Sequence, residues 1–176
     1  GDPTEVYTIT VTAIVRTLAI VSGTPQTAPT NTALPFPLVV LAQDNGVNAS
    51  GITINWSVLS GDATTTAPTS VTNVAAGEAS IGVNLGPTPG LIVVRATRAD
   101  EITEFEDFTI NSTLTRTLVI VSGNGQNATP GSPLAAPLVV DAKGNGIAAP
   151  GITINWTITA GSTLGAASNV TSGVGI

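Results

Sequence analysis

The sequence predicts an all-β protein that contains two consecutive copies of one sandwich module. Valine, threonine and isoleucine, which favour strands, dominate the chain and alternate with polar residues in several segments. Glycine and proline, with 19 and 12 copies, interrupt the chain every few residues. Blocks of sequence also recur at a constant offset of 100 residues, the size of a whole domain.

The repeat sets the predicted domain boundaries. The blocks Arg16–Gly23, Pro37–Val40 and Gly51–Trp56 all return 100 residues later, and 24 of the 45 positions from 16 to 60 are identical at that offset. We therefore expect a complete sandwich over 16–115 and a second one over 116–176 that is incomplete at its C-terminal end. Residues 1–15 form a terminal strand of a preceding module or a donor strand.

About seven strands are predicted for each module, as a two-sheet sandwich of this size requires. In the first module, alternating segments at 52–58, 78–85 and 107–111 each predict one half-buried strand. Continuous apolar runs at 38–41 and 91–94 indicate central strands, because such strands are covered on both faces. Turn residues separate these segments, among them Asp44-Asn45-Gly46.

The composition excludes several classes of function. The chain has no histidine and no cysteine, so we expect no catalytic triad built on either, no Cys/His zinc site and no disulfide framework. Five basic residues against 11 acidic ones give a net charge of −6, which is unsuited to nucleic acid. The apolar runs are too short to insert into a membrane. The sequence thus predicts a non-enzymatic protein without an organic cofactor.

The three repeated blocks, taken in order, resemble the bacterial immunoglobulin-like repeats of the invasin and intimin type. Those modules are similar in their opening strand, their long first loop, the Pro-Leu-Val-Val strand, the Asn-Gly turn and the strand ending in Asn-Trp. The resemblance covers 16–115 and the first part of the second copy. It implies tandem immunoglobulin-like β-sandwiches that serve as stalks and adhesive arms on cell surfaces.

The two tryptophans, Trp56 and Trp156, are assigned to the cores of their modules. Trp56 shares one face of its strand with Ile52, Ile54 and Val58, as a core tryptophan of an immunoglobulin-like sandwich does. The alternative is a sugar-stacking platform. Phe36 and Phe105 are the other aromatic residues that could be exposed and bind a sugar. The rival function is therefore that of a carbohydrate-binding accessory module.

Five of the eleven acidic residues fall between 100 and 107. The Asp44 turn is expected near this loop, so Asp44, Asp100, Glu101 and Glu104 are candidate ligands for a calcium ion at an inter-domain joint. A solvated loop is the favoured alternative, because the spacing matches no dedicated calcium loop. The same acids could form a pair of glycosidase carboxylates, but nothing in the sequence suggests a cleft between them.

Six Asn-x-Ser/Thr sequons are candidate glycosylation sites. They lie at Asn48, Asn55, Asn111, Asn127, Asn155 and Asn169. The favoured alternative is that asparagine, serine and threonine simply build an uncharged polar surface.

The chain ends leave two hypotheses open. Residues 7–9 resemble residues 108–110 near the end of the first module, and the second module lacks counterparts of 77–115. The favoured hypothesis is an excerpt from a longer array. In the other, the leading strand of one copy completes the second module of the next, giving a head-to-tail filament.

The predicted function is that of a structural stalk or shaft module in an extracellular fibrous or adhesive surface protein. Its expected partners are neighbouring immunoglobulin-like modules or copies of itself. The receptor or glycan, if one is bound, is not predicted.

Overall fold

The structure is a computed structural model that describes residues 9–159, 161, 163–165, 167–173 and 175. No helix among these residues is long and apolar enough to cross a membrane. The chain divides into two compact units, Gly1–Thr113 and Leu114–Ile176. The predicted strand within 1–15 lies partly outside the described residues, and residues 9–15 form no strand.

Unit 1 contains eleven described strands. They are β1 (Arg16–Ser22), β2 (Gln26–Pro29), β3 (Leu38–Asp44), β4 (Val47–Asn48), β5 (Thr53–Ser60), β6 (Ala63–Thr65), β7 (Thr69–Val71), β8 (Glu78–Ile81), β9 (Val83–Leu85), β10 (Gly90–Arg98) and β11 (Phe105–Thr113).

These strands form two main sheets. In the first sheet, β3 pairs with β1 on one side and with β4 and β8 on the other. The second sheet has the order β2-β11-β10-β5-β7, and β6 and β9 form a separate ribbon. The all-β, immunoglobulin-like sandwich predicted from the sequence is confirmed, and β3 and β10 are central strands.

The difference between seven predicted and eleven observed strands has local causes. β2 lies in the segment expected to be the long first loop, and it belongs to the sheet opposite that of β1. The alternating segment 78–85, predicted as one strand, divides at Gly82 into β8, which pairs with β3, and β9, which pairs with β6. A Cβ atom on Gly82 would lie only 3.0 Å from Thr66 Cγ2, so glycine allows this close approach. The remaining two strands, β4 and β6, are only two and three residues long.

A strand close to the start of unit 1, β2, and the strand that ends it, β11, are neighbours. β2 pairs with β11 in parallel, from Ile110↔Gln26 to Thr113↔Pro29. All the other strand pairs described in unit 1 are antiparallel. The second and last strands of the unit are therefore joined side by side by backbone hydrogen bonds, while the first strand, β1, pairs with β3 in the other sheet.

The core of unit 1 lies between the two sheets. Leu38, Val40 and Ala42 of β3 face Val94 and Phe108 of the opposite sheet, and all five are fully buried. Successive residues of a strand point to opposite faces, so the buried positions alternate along β3 and β10 even within their continuous apolar runs. A sandwich closed in this way gives the unit its own hydrophobic core.

Unit 2 has five described strands. They are β12 (Arg116–Ser122), β13 (Val139–Gly144), β14 (Ile147–Ala148), β15 (Thr153–Asn155) and β16 (Ser168–Val170). β12 pairs with β13 in the same register as β1 with β3, 100 residues later, and a bulge falls between Ile120 and Ser122 as it does between Ile20 and Ser22. Local sequence therefore reproduces the local pairing in both units.

Candidate functional site

Trp56 lies in the core of unit 1. Its side chain is 5% exposed and its ring centroid lies 5.8 Å from that of Phe108. The indole Nε1 donates a hydrogen bond of 2.8 Å to Ser70 Oγ, so its only polar group is satisfied. A ring held between two sheets is inaccessible to a sugar.

Trp156 occupies the matching position in unit 2 but is only half-buried. Its Nε1 donates to Asn169 Oδ1 at 3.0 Å, and the ring lines an open cleft of about 570 Å³ with Leu138, Val140 and Ile154. In unit 1, β10 pairs with the corresponding strand, β5, on this side, and Phe108 of β11 contacts the Trp56 ring. Among the described residues of unit 2, no strand pairs with β15 on that side, so the core position predicted for Trp156 is only partly enclosed.

The sequons all carry exposed asparagines, namely Asn48, Asn55, Asn111, Asn127, Asn155 and Asn169. Two of these side chains already take part in hydrogen bonds within the protein. Asn48 Oδ1 accepts from Gln43 Nε2 at 3.0 Å, and Asn169 holds the indole of Trp156. Glycosylation of the six stays a prediction.

Phe36 and Phe105 differ in what surrounds them. Phe36 is 66% exposed, and its backbone is held by the Gln26 side chain, as the backbone of Ala136 is held by Gln126. Because alanine replaces it in unit 2, the aromatic ring is not needed for this contact. Phe105 is covered on one face by the guanidinium of Arg95, whose Cζ lies 3.8 Å from the ring centroid.

The acidic residues assigned to calcium surround an arginine. Asp44, from the end of β3, and Asp100, just after β10, meet at Arg98, whose side chain is fully buried. Nη2 of Arg98 donates to Asp44 Oδ1 at 2.8 Å and to Asp100 Oδ2 at 3.0 Å, and Nε donates to Asp100 Oδ1 at 3.0 Å. Asp44 lies close to this loop, as expected, but the positive group between them is the side chain of Arg98.

The remaining donors of Arg98 are also satisfied. Nη1 donates to the carbonyl oxygens of Thr17 at 3.1 Å and Gln43 at 2.9 Å. All five N–H groups of the guanidinium are therefore used. Because the two carbonyls belong to β1 and β3 while Arg98 ends β10, this one side chain connects the two sheets.

The outer acids are held in the same way. Arg16 Nε lies 3.3 Å from Asp100 Oδ2, and its Nη1 lies 4.0 Å from Glu101 Oε2. Glu104 contributes its backbone carbonyl, which accepts from the Arg98 amide at 3.0 Å. In the described part of the chain, no group of three or more acidic side chains is arranged to hold a metal ion. Of the four candidate ligands, the carboxylates of Asp44, Asp100 and Glu101 thus face arginine nitrogens, and Glu104 takes part through its backbone.

Hydrogen bonds to arginine shift two carboxyl groups. The bonds from Arg98 hold the pKa of the Asp100 carboxyl below its ordinary value, against the opposing effect of burial. The bidentate pair of Arg95 with Asp107, at 2.7 and 2.8 Å, lowers the pKa of Asp107 in the same way. Both carboxylates are thereby kept charged, as partners of arginine. Sequence reasoning missed the role of Arg98, because a single arginine at the end of a strand carries no local signal of burial.

No protein-family model matches the chain, and no curated protein matches it. Solved structures that resemble it include the D00-D0 domains of intimin, at 21% identity and a TM-score of 0.43, covering 59% of this chain and 48% of that one. The D0-D1 domains of intimin match at 18% identity and a TM-score of 0.45, covering 92% and 80%. The Escherichia coli adhesin FdeC matches at 16% identity and a TM-score of 0.45, covering 75% and 42%.

The fold resembles that of intimin-type modules. Two of these structures are modules of intimin, the type of module that the sequence motifs resemble. This chain spans about half of the intimin D00-D0 structure, since it covers 48% of it. At these identities the likeness concerns the fold, so the function is argued from the geometry of the chain itself.

Proposed function

We propose that the chain is a force-transmitting stalk segment of an extracellular surface protein. The observation that carries this proposal is the parallel pairing of β2 with β11. Tension applied to the two ends of unit 1 reaches β2 through β1 and acts directly on β11, and it pulls these two parallel strands past each other in opposite directions. The backbone hydrogen bonds between them are then loaded together, in shear, instead of breaking one after another.

Two further features support the proposal. The Arg98 hydrogen bonds connect β10 to β1 and β3, so they oppose separation of the sheets. The chain also passes from the end of β11 at Thr113 to the start of β12 at Arg116 through two residues, which is a short connection. The motif resemblance to surface stalk modules supports the extracellular location.

Single-molecule force spectroscopy on the intact chain tests the proposal. Pulled through its two ends, unit 1 should unfold in one event that releases roughly 30 nm of chain, the extended length of its 98 residues from 16 to 113. We expect the force to exceed clearly that needed when the handles are placed on Thr27→Cys and Asn111→Cys. These two positions are exposed cross-strand partners, so pulling there opens the β2–β11 pair like a zipper.

The absence of native cysteines makes these two handles unique in the chain. Equal forces in the two directions, or extension through the ends without a resolved unfolding event, would rule out a mechanical role for the parallel pair.

A second candidate function is a filament of head-to-tail copies. The observation that favours it is the open apolar face of unit 2, where Leu118 and Ile120 of β12 are 57% and 62% exposed. The leading segment offers a matching strand pattern, since Ile9 and Val11 alternate and are 86% and 87% exposed. In this proposal, the segment of one copy covers the open face of the next.

Light scattering coupled to size-exclusion chromatography tests the filament. We expect species whose mass grows with concentration, and an Ile9→Asp/Val11→Asp double variant that stays a monomer. A constant monomer mass for the unaltered chain at every concentration contradicts the proposal. Equal self-association of the double variant would show that another surface is responsible.

A further inference from the structure

The Asn-Gly turn of each unit holds the residue that precedes the first strand. In unit 1, Asn45 Oδ1 accepts a hydrogen bond of 2.9 Å from the Val15 amide, and the Asn45 amide donates one of 2.8 Å to the Val15 carbonyl. Two reciprocal bonds therefore fix the backbone at residue 15, immediately before β1 begins at Arg16.

Unit 2 contains the same arrangement 100 residues later. Asn145 Oδ1 accepts from the Thr115 amide at 2.9 Å, and the Asn145 amide donates to the Thr115 carbonyl at 2.8 Å. The residues that are held differ, valine in one unit and threonine in the other. The contact thus depends on their backbone atoms and on the asparagine.

The conformation of the turn explains the choice of asparagine. Asn45 and Asn145 have φ angles of 50° and 51°, and the glycines that follow them, Gly46 and Gly146, have 78° and 82°. Positive φ at both central residues is the pattern of a tight hairpin turn, which here joins β3 to β4 and β13 to β14. Glycine and aspartate adopt this conformation as well, so the turn alone does not require the side-chain amide.

The position of the contact gives it a consequence for the connecting segment. Thr113 ends β11 and Thr115 is held by Asn145, so only Leu114 lies between an ordered strand of unit 1 and a fixed residue of unit 2. Leu114 is half-buried over Gly144, where an added Cβ would meet Leu114 Cδ1 at 3.3 Å. Few backbone dihedrals in this segment are left free to rotate.

We infer that the asparagine of this turn clamps the linker. The linker clamp is the pair of reciprocal hydrogen bonds that Asn45 makes with the backbone of Val15, and that Asn145 makes with the backbone of Thr115. Its role is to fix the direction in which the chain enters a module and so to stiffen the connection between consecutive modules. The inference rests on the proposed stalk function for its purpose, but the clamp itself is a local property that is measured separately.

Hydrogen exchange of the Thr115 amide in the whole chain tests the clamp. Asn145→Gly keeps the positive φ and removes the side-chain acceptor, and we expect exchange at Thr115 to become about fivefold faster. Asn145→Asp keeps both the turn and an acceptor oxygen, so exchange there should stay within about twofold of the original rate. Backbone relaxation of the same variants should show the two units tumbling more independently in Asn145→Gly only.

Unchanged exchange at Thr115 in Asn145→Gly overturns the clamp, and so does equal acceleration in both variants. If Asn145→Gly unfolds unit 2, the same pair of substitutions at Asn45, read at the Val15 amide of the closed unit 1, supplies the test. If the Thr115 amide exchanges faster but the tumbling of the two units does not change, the hydrogen bonds of the clamp are supported and its stiffening role is contradicted. A low unfolding force in the pulling experiment would reject the stalk function and leave the exchange result intact.

Discussion

Replacing Trp56 with alanine should destabilise unit 1 by about 3 to 5 kcal/mol. Trp56 is 5% exposed, its ring contacts Phe108 of the same sheet within the core, and it donates its N–H to Ser70, so its removal leaves a cavity and loses a hydrogen bond. The measurement is the free energy of unfolding of unit 1 in denaturant, followed through the amide signals of β10. Fluorescence of Trp156 reports on unit 2 in the same sample.

The matched control is Trp156→Ala, because the two tryptophans occupy equivalent positions of the repeat. Trp156 is half-buried beside an open cleft, so its loss removes less buried surface and should cost unit 2 about 1 kcal/mol. Equal costs for the two substitutions would contradict the conclusion that tertiary closure, rather than local sequence, determines the burial of this residue.

Arg98→Ala should be the second severe substitution and should destabilise unit 1 by about 3 kcal/mol. It removes a fully buried side chain that makes five hydrogen bonds and leaves the carbonyls of Thr17 and Gln43 without this donor. Asp44 and Asp100 are each 35% exposed, so water partly replaces their lost partner and keeps the cost at the lower end for a broken buried pair.

Arg95→Ala is the control for Arg98, since both arginines lie in β10 and make bidentate contacts with an aspartate. Arg95 is 31% exposed at the side chain and its partner Asp107 37%, so this pair is screened by solvent and the substitution should cost much less than Arg98→Ala. An Arg98→Met variant retains much of the side-chain volume without the donors. A stability of that variant close to the unaltered chain would show that packing, and not hydrogen bonding, is the contribution of Arg98.

The effect of Arg98→Ala should also depend on pH. The pKa of Asp100 is lowered in the folded state, so its contribution to stability is complete above its ordinary pKa of about 4 and is lost as the pH falls through the folded value. The difference in unfolding free energy between Arg98→Ala and the unaltered chain should therefore shrink between about pH 7 and about pH 3. A difference that is constant over this range contradicts the assigned role of the Arg98–Asp100 pair.

Much of the fold was predictable because it depends on short-range patterns. Alternation placed Ile54 and Trp56 on one face of β5, and the repeat predicted that β12 and β13 would copy β1 and β3. The division of segment 78–85 into β8 and β9 was not predictable in this way. Alternation continues unbroken through Gly82, and the change of pairing partner there, from β3 to β6, depends on strands that meet only in the folded unit.

The candidate site was predicted less completely than the fold. Sequence predicts that Asp44 lies near the acidic loop, and it offers these carboxylates as candidate metal ligands with a solvated loop as the favoured alternative. The partner that the structure shows is Arg98, 54 residues from Asp44, and its other acceptors are backbone carbonyls, which carry no signature in a sequence. The Asn-Gly turn was recognised as a turn, but the hydrogen bonds of its side chain to the preceding segment were not.

The sequence by itself determined the strand class, the 100-residue repeat and the side of each strand that is apolar, because these follow from the two-residue period of a strand and from copied blocks. Only the tertiary structure decided which of two equivalent tryptophans is enclosed and which arginine is buried. Burial depends on strands that come from distant parts of the chain. The six residues that end at Trp56 (51–56) are identical to the six that end at Trp156 (151–156). Identical local sequence cannot specify different surroundings, so the difference arises from the strands packed against it.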